Sequence, residues 1–185
     1  MNKLLRVVWL GLVACVPLSV SYAEVTASSP SGFVSKHELF VPVAPVRAYQ
    51  ALVQDVSQWW DASHSYSGDA AAFSMADVAG GCFCEVKGDV RVEHMRVVNV
   101  QQGKSITLQG GLGPLQSLAV QGSMTFQFEA AEQDGVAGTT LRYVYHVSGW
   151  RPGGLKDWAG PVDQVQLGQL LRLQKYLQTG EPLNP

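Results

Sequence analysis

The sequence predicts an α+β domain, and three patterns carry that prediction. From Ala71 to Ser148 apolar and polar residues alternate, and turn residues recur about every eight to twelve positions, as in consecutive antiparallel strands. From Pro161 to Thr179 apolar residues recur at helical spacing. Ahead of the sheet, a short helical stripe follows one extended run.

The elements follow in order. Residues 24–36 are polar and rich in small side chains, and read as a flexible leader. His37–Val43 alternates as a first strand, with Pro42 suited to an edge or a strand end. Pro45 suits the first position of a helix, and Val46, Tyr49, Ala51, Leu52 and Val53 form its apolar stripe through to Gln54. Asp55 can cap a second short helix, Val56–Trp60. Six strands are then predicted: Ala72–Ala76, Cys82–Lys87, Arg91–Val100, Ser105–Gln109, Gln121–Ala130 and Thr139–Val147. Gly88-Asp89, Gln102-Gly103 and Gln133-Asp134-Gly135 supply the turn chemistry. Met124, Phe126 and Phe128, with Leu141, Tyr143, Tyr145 and Val147, should face inward, and Thr125, Gln127, Glu129, Arg142, Val144 and His146 outward. The last helix, Pro161–Thr179, groups Leu167, Leu170, Leu171, Gln174 and Leu177 on one face, with Val162, Val165, Leu173 and Tyr176 beside it, a wide stripe to bury on the sheet. Gly180 serves as its cap and Pro182 as its stop. The domain spans residues 37–180, and 181–185 are a tail.

The N-terminus reads as an export address. Lys3 and Arg6 precede the apolar stretch Val7–Val20, and Ser21-Tyr22-Ala23 places small residues at a cleavage site, as in a signal peptide cut after Ala23. The alternative is that Leu12-Val13-Ala14-Cys15 is a lipobox and Cys15 carries a lipid anchor. Both readings predict export, to the periplasm or beyond, and only the second gives the protein a membrane partner. No stretch after Ala23 is long and apolar enough for a membrane-spanning helix.

Composition narrows the function. With 13 basic and 15 acidic residues, a formal charge of −2 and 46% hydrophobic residues, the 185-residue chain is neither disordered nor fibrous. It has no clustered basic face, which excludes nucleic acid as a partner. Gly110-Gly111-Leu112-Gly113-Pro114-Leu115 is glycine-rich but lacks the Lys-Ser/Thr of a phosphate-binding loop, so ATP is excluded and no cofactor is assigned. Glu85, Glu93, His94 and His146 have no clear mates, and no nucleophile-elbow motif is present. No residue is assigned a catalytic role.

The order of elements, with these residues, resembles the SRPBCC or START-like helix-grip superfamily. The branch it most resembles is the homologues of the C-terminal domain of the heat-shock-ATPase activator. The matching pieces are Val41-Pro42-Val43-Ala44-Pro45-Val46-Arg47-Ala48-Tyr49, Trp59-Trp60, Gly80-Gly81-Cys82-Phe83-Cys84-Glu85 and Gly138-Thr139-Thr140-Leu141. The resemblance covers about His37 to Thr179. It implies a curved seven-stranded antiparallel sheet gripping the C-terminal helix, two short helices after the first strand, and a cavity that takes an apolar ligand. The founder of the branch acts on a cytosolic chaperone that uses ATP, and an exported protein meets neither.

On that fold the expected function is binding of an apolar or aromatic small molecule. The expected wall is Met124, Phe126, Phe128, Leu141, Tyr143 and Tyr145, followed by Trp60, Cys82 and Cys84. A cyclase- or hydrolase-type enzyme is the alternative, and would show a buried carboxylate or histidine with a perturbed pKa. A protein-interaction module, the third reading, would show a filled core and an exposed apolar patch. Cys82 and Cys84 admit several readings. They are two small side chains lining the cavity, or a strained disulfide, or a metal or redox site with His94 nearby in sequence. On a regular strand residues two apart are about 6.7 Å apart, whereas disulfides want Cβ atoms about 3.8 Å apart. A bond would therefore need a bulge or kink, which Gly80-Gly81 can supply, and a strained bond is more easily reduced. Trp59 and Trp60 form a gate, or one packs in the core and one on the surface. The loop from Gly110 to Leu118, with exposed leucines, is a lid or a plain connection. Gly149–Pro161, with Trp150, Arg151, Pro152 and Trp158, closes the other side of the mouth.

Overall fold

The computed structural model describes residues 25–183. The expected signal peptide and lipobox lie outside the described residues. The strands are β1 (Val25–Ser29), β2 (Gly32–Val41), β3 (Phe73–Met75), β4 (Cys82–Lys87), β5 (Val90–Gln101), β6 (Ser105–Gln109), β7 (Ala119–Gln133) and β8 (Val136–Trp150). They form one antiparallel sheet in the order β1-β2-β8-β7-β6-β5-β4-β3. The helices are α1 (Pro45–Gln54), α2 (Val56–Trp59) and α3 (Ala159–Thr179).

Each expected strand is present, but the sheet has eight strands, not seven. The stretch read as a flexible leader supplies the difference. Val25–Ser29 pairs with Gly32–Ser35 as a hairpin, held by backbone hydrogen bonds that a polar sequence forms as well as an apolar one. The next strand therefore begins at Gly32, and Phe33, Ser35, His37, Leu39 and Val41 form its buried face. β7 and β8 are also longer than predicted and pair from Ala119–Trp150 to Gln133–Val136. Their two-residue turn, Asp134-Gly135, has positive φ at both positions (52° and 77°), which suits the right-handed twist of a hairpin.

The inward sets on β7 and β8 are buried as expected, and His146 is exposed. These side chains pack with Leu52, Val53 and Trp59 of the short helices and with Leu170 and Leu173 of α3 in one core. The face that α3 buries keeps Leu170 and Leu173 of the expected stripe but otherwise differs from it. The buried positions are Ala159, Asp163, Gln166, Gln169, Leu170 and Leu173, whereas Leu167, Leu171, Gln174 and Leu177 are half-buried. Polar residues occupy the inner face because each finds a partner there, although Asp163 Oδ2 has none among the described residues. Asp163 accepts from Ser35, Gln166 accepts from the Tyr143 hydroxyl at 2.9 Å, and Gln169 accepts from the Asp61 amide at 3.0 Å. Gly180, at φ 79°, ends the helix in the left-handed conformation that glycine adopts without cost.

Candidate functional site

A break in the pairing of β4 with β5 creates the site. Phe83 lies opposite Met95 and Cys84 opposite Glu93, so His94 is an extra residue on β5. Such a bulge re-aims a side chain that regular alternation would place elsewhere. Here both His94 and Met95 are buried, whereas Glu93 and Arg96 pair with each other outside.

The bulge brings His94 to Glu85, the inward residue of β4. His94 Nε2 lies 3.0 Å from Glu85 Oε2, and both side chains are buried. Glu85 also accepts the amides of Tyr66 (3.1 Å) and Ser67 (2.5 Å). Burial alone would push the Glu85 carboxyl up. The bonds from Ser67, the Tyr66 amide and the His94 imidazole outweigh it and hold Glu85 below the usual carboxylate range. Burial also pushes His94 down, and the attraction of Glu85 recovers only part of that shift. The pair is thus a neutral imidazole on an ionised carboxylate. Nε2 carries the proton and Nδ1 the lone pair. Nδ1 is buried and has no hydrogen-bond partner among the described residues. Phe73, Phe83 and Tyr66 pack against the ring, with centroids 5.0, 5.3 and 5.9 Å away.

His94 also belongs to the wall of a cavity of about 360 Å³. Trp60, His64 and Tyr66 supply one side, Leu112 and Pro114 another, and Trp158, Val162, Val165 and Gln166 at the start of α3 the third. The loop of residues 110–118 is fixed to this wall. Gln116 Nε2 donates to the carbonyls of Glu93 (2.6 Å) and His94 (3.3 Å) on either side of the bulge. The Leu112 amide donates to the Tyr145 hydroxyl at 3.1 Å, and burial pushes that phenol up to about 12. Tyr145 lies over Gly122, where a Cβ would meet its ring at 2.5 Å, so no other residue fits at 122. The loop's leucines are not uniformly exposed, since Leu115 is fully buried and anchors it. Trp158 stands opposite the loop as expected of its segment, with the Arg151 guanidinium 5.1 Å from its ring.

Of the residues expected to bind ligand, only Trp60 reaches this cavity. Met124, Phe126 and Tyr143, with Trp60 again, line a separate void of only about 20 Å³ beneath the helices. Phe128, Leu141 and Tyr145 line neither space; their large side chains fill the core, Phe128 edge-on to Tyr49 at 5.7 Å. Cys82 and Cys84 alternate with the buried Phe83 and Glu85 and so face away from the interior. They form a disulfide, with an S–S distance of 2.00 Å and Cα atoms 5.5 Å apart. The bulge opposite Cys84 has its extra residue on β5 and not on the cysteines' own strand, and neither cysteine lies in the wall. Both tryptophans are buried, against the reading that placed one on the surface. Each indole N–H has a carbonyl partner, Ala51 at 2.9 Å for Trp59 and His64 at 3.1 Å for Trp60.

A second buried histidine lies under α3. Asp163 Oδ1 accepts from Ser35 Oγ at 2.5 Å and lies 2.9 Å from His37 Nε2. Ser35 and Asp163 both address the same imidazole nitrogen, 3.3 Å and 2.9 Å away, so this cluster is not built to pass a proton from serine through histidine to aspartate. It joins β2 to α3. Among the described residues no three His, Cys, Asp or Glu side chains are grouped to hold a metal. No described helix is long and apolar enough to cross a membrane.

No protein-family model and no curated protein matches the chain. Solved structures do. It is similar to a protein from Staphylococcus saprophyticus (TM-score 0.58, 15% identity, covering 82% of this chain and 96% of that one). A conserved protein of unknown function from Enterococcus faecalis gives a TM-score of 0.55 at 11% identity, covering 83% and 75%. Ara h 8.0201, a Bet v 1-like fold, gives 0.54 at 16% identity, covering 78% and 96%. At these identities the likeness shows the fold, which is of the helix-grip or START-like type.

Proposed function

We propose that this protein is an exported START-like domain that binds an apolar or aromatic small molecule. In this reading the ligand sits in the cavity at Trp60, His94 and Trp158, not deep in the sheet as the sequence suggested. The cavity's volume and its mostly apolar lining carry the reading. At about 360 Å³ it lies in the range of small-molecule sites, and flat aromatic walls favour a planar ligand. The order of motifs further supports the branch of the heat-shock-ATPase activator homologues, without its cytosolic partner or ATP.

Naphthalene, which has no polar group, tests the reading. Tryptophan fluorescence should report saturable binding with a Kd on the order of 10–100 μM. Val162→Trp and Val165→Trp, which fill the cavity, should each remove binding while the thermal transition persists. No saturation up to the solubility of naphthalene, or binding indifferent to both variants, would overturn it.

An enzyme using the same cavity is the second reading, and the Glu85–His94 pair favours it. A neutral imidazole oriented by an ionised carboxylate is the arrangement of a general base. Deuteration of 2-tetralone at its α-carbon in D2O, faster with the protein than with His94→Phe, is its expected sign; equal rates would remove it.

A further inference from the structure

The outer face of β4 carries chemistry that ligand binding in the cavity does not use. Cys82 and Cys84 are joined there, with one residue between them on a single strand. A bond of that span ties no two elements together, and it closes a loop too short to restrict the unfolded chain much. β4 is held without it, since pairing to β3 and β5 runs along both its edges. What the position offers instead is access. Both cysteines are only half-buried, and both point away from the core. Cys84 lies opposite Ser74, a small, exposed residue of β3, and β3 is the last strand of the sheet. An accessible disulfide that contributes little to the fold is the labile kind, open to attack by a thiolate.

The two sulfurs are not equivalent. Residues directly opposite on antiparallel strands share a face, with Cβ atoms about 4.5–5.5 Å apart. Across from Cys82 on β5 is Arg96, and across from Cys84 is Glu93. The Arg96 guanidinium donates to the Gly80 carbonyl at 2.7 Å, two residues before Cys82, and to the Glu93 carboxylate. A cation favours negative charge on the Cys82 sulfur, whereas Cys84 faces only a serine and an acid. We infer that Cys82–Cys84 is a thiol–disulfide exchange site for dithiols, with Cys82 as the sulfur that leaves. One thiolate of the dithiol attacks the Cys84 sulfur. The Cys82–Cys84 bond breaks, its electron pair departs on Cys82, and a mixed disulfide joins the dithiol to Cys84. The second thiolate attacks the dithiol's own sulfur in that bond and expels Cys84. The dithiol leaves as a disulfide, oxidised by two electrons, and the two cysteines take up its two protons. This site is separate from the cavity and does not depend on a ligand there.

Dithiothreitol, a small dithiol, tests the site on the unaltered protein, with free thiols counted by alkylation and mass spectrometry. The native protein should be reduced within about threefold of the rate of the same chain unfolded in urea, whereas an inaccessible bond would be slowed about a hundredfold or more. Arg96→Gln should slow that reduction about two- to fivefold, the worth of one partly exposed charge, while the thermal transition persists. The single thiols give a second readout. Cys82, left alone by Cys84→Ser, should react with the neutral disulfide 4,4′-dithiodipyridine about two- to fivefold faster than Cys84 left alone by Cys82→Ser, and Arg96→Gln should remove the difference. Where a single-cysteine variant fails to fold, the dithiothreitol rates with and without Arg96→Gln decide alone. A native bond protected about a hundredfold would overturn the site. Equal or reversed rates for the two single thiols, or reduction indifferent to Arg96→Gln, would overturn the role of Cys82.

Discussion

The two buried histidines occupy opposite ends of one design. His37 and His94 each lie about 3 Å from a carboxylate, 2.9 Å for Asp163 and 3.0 Å for Glu85, and each is almost wholly buried. Their surroundings differ. His37 is closed in between β2 and α3, and its partners tie a strand to a helix. His94 stands on a bulge in a cavity wall, its carboxylate is held by loop amides, and its buried Nδ1 has no hydrogen-bond partner among the described residues. The same pair of residue types joins two elements in one place and lies in a cavity wall in the other. What differs is the setting, a strand joined to a helix in one case and a cavity wall in the other.

The largest effect should come from breaking the join between β2 and α3. Asp163→Ala removes the partner of both Ser35 and His37 and leaves their polar atoms buried, at a cost of about 1–3 kcal/mol for each. Urea unfolding should show that loss, yet naphthalene affinity should not change below the transition. A changed affinity would mean that the two histidines are coupled and that the contrast is false. Glu85→Gln should cost less in urea unfolding, about 1–3 kcal/mol, because the amide keeps one carbonyl oxygen for the loop.

Acidity acts on the pair in the cavity wall. Burial holds the folded His94 below its ordinary value of about 6.5. As pH falls below that value the unfolded chain takes up the proton first, so the stabilising contribution, complete above it, declines toward the folded value. Glu85, held low by its hydrogen bonds, adds a loss of the same sign at lower pH: its contribution is present above the ordinary carboxylate value of about 4.3 and goes as pH drops through the folded one. The urea midpoint should therefore be lower at pH 5.5 than at pH 7.5, with a smaller difference in His94→Phe. A midpoint that rises on acidification would contradict the neutral imidazole.

Most of the fold could be read from the chain because its signals are local. Alternation located β7 and β8, Pro45 and Gly180 bounded helices, and the glycine turns marked the hairpins. The site was not readable, for two physical reasons. The bulge at His94 shifts the period by one, so alternation along β5 could not show that His94 and Met95 both turn inward. On α3 the inner face holds Asp163, Gln166 and Gln169, which a hydrophobic stripe does not reveal. The wall chosen from the sequence was the set of large inward side chains on β7 and β8. Large inward side chains fill space, and a cavity forms where loops and helix ends fail to meet. The one signal available was Glu85, an acid at an inward strand position in an apolar run, which had to find a partner inside.

The smallest effect concerns the outer face, where Cys82 and Cys84 sit two residues apart. A crosslink stabilises by restricting the unfolded chain, and closing so short a loop is worth only on the order of 1–2 kcal/mol in the loop-entropy model. The paired Cys82→Ser, Cys84→Ser variant should therefore keep its fold and lose at most that amount in urea unfolding. Its naphthalene affinity should be intact, because both sulfurs point away from the cavity while Phe83 and Glu85 between and beside them point inward. A larger loss, or a fall in naphthalene affinity, would show that the disulfide holds β4 against the bulge and that the outer face helps to aim His94.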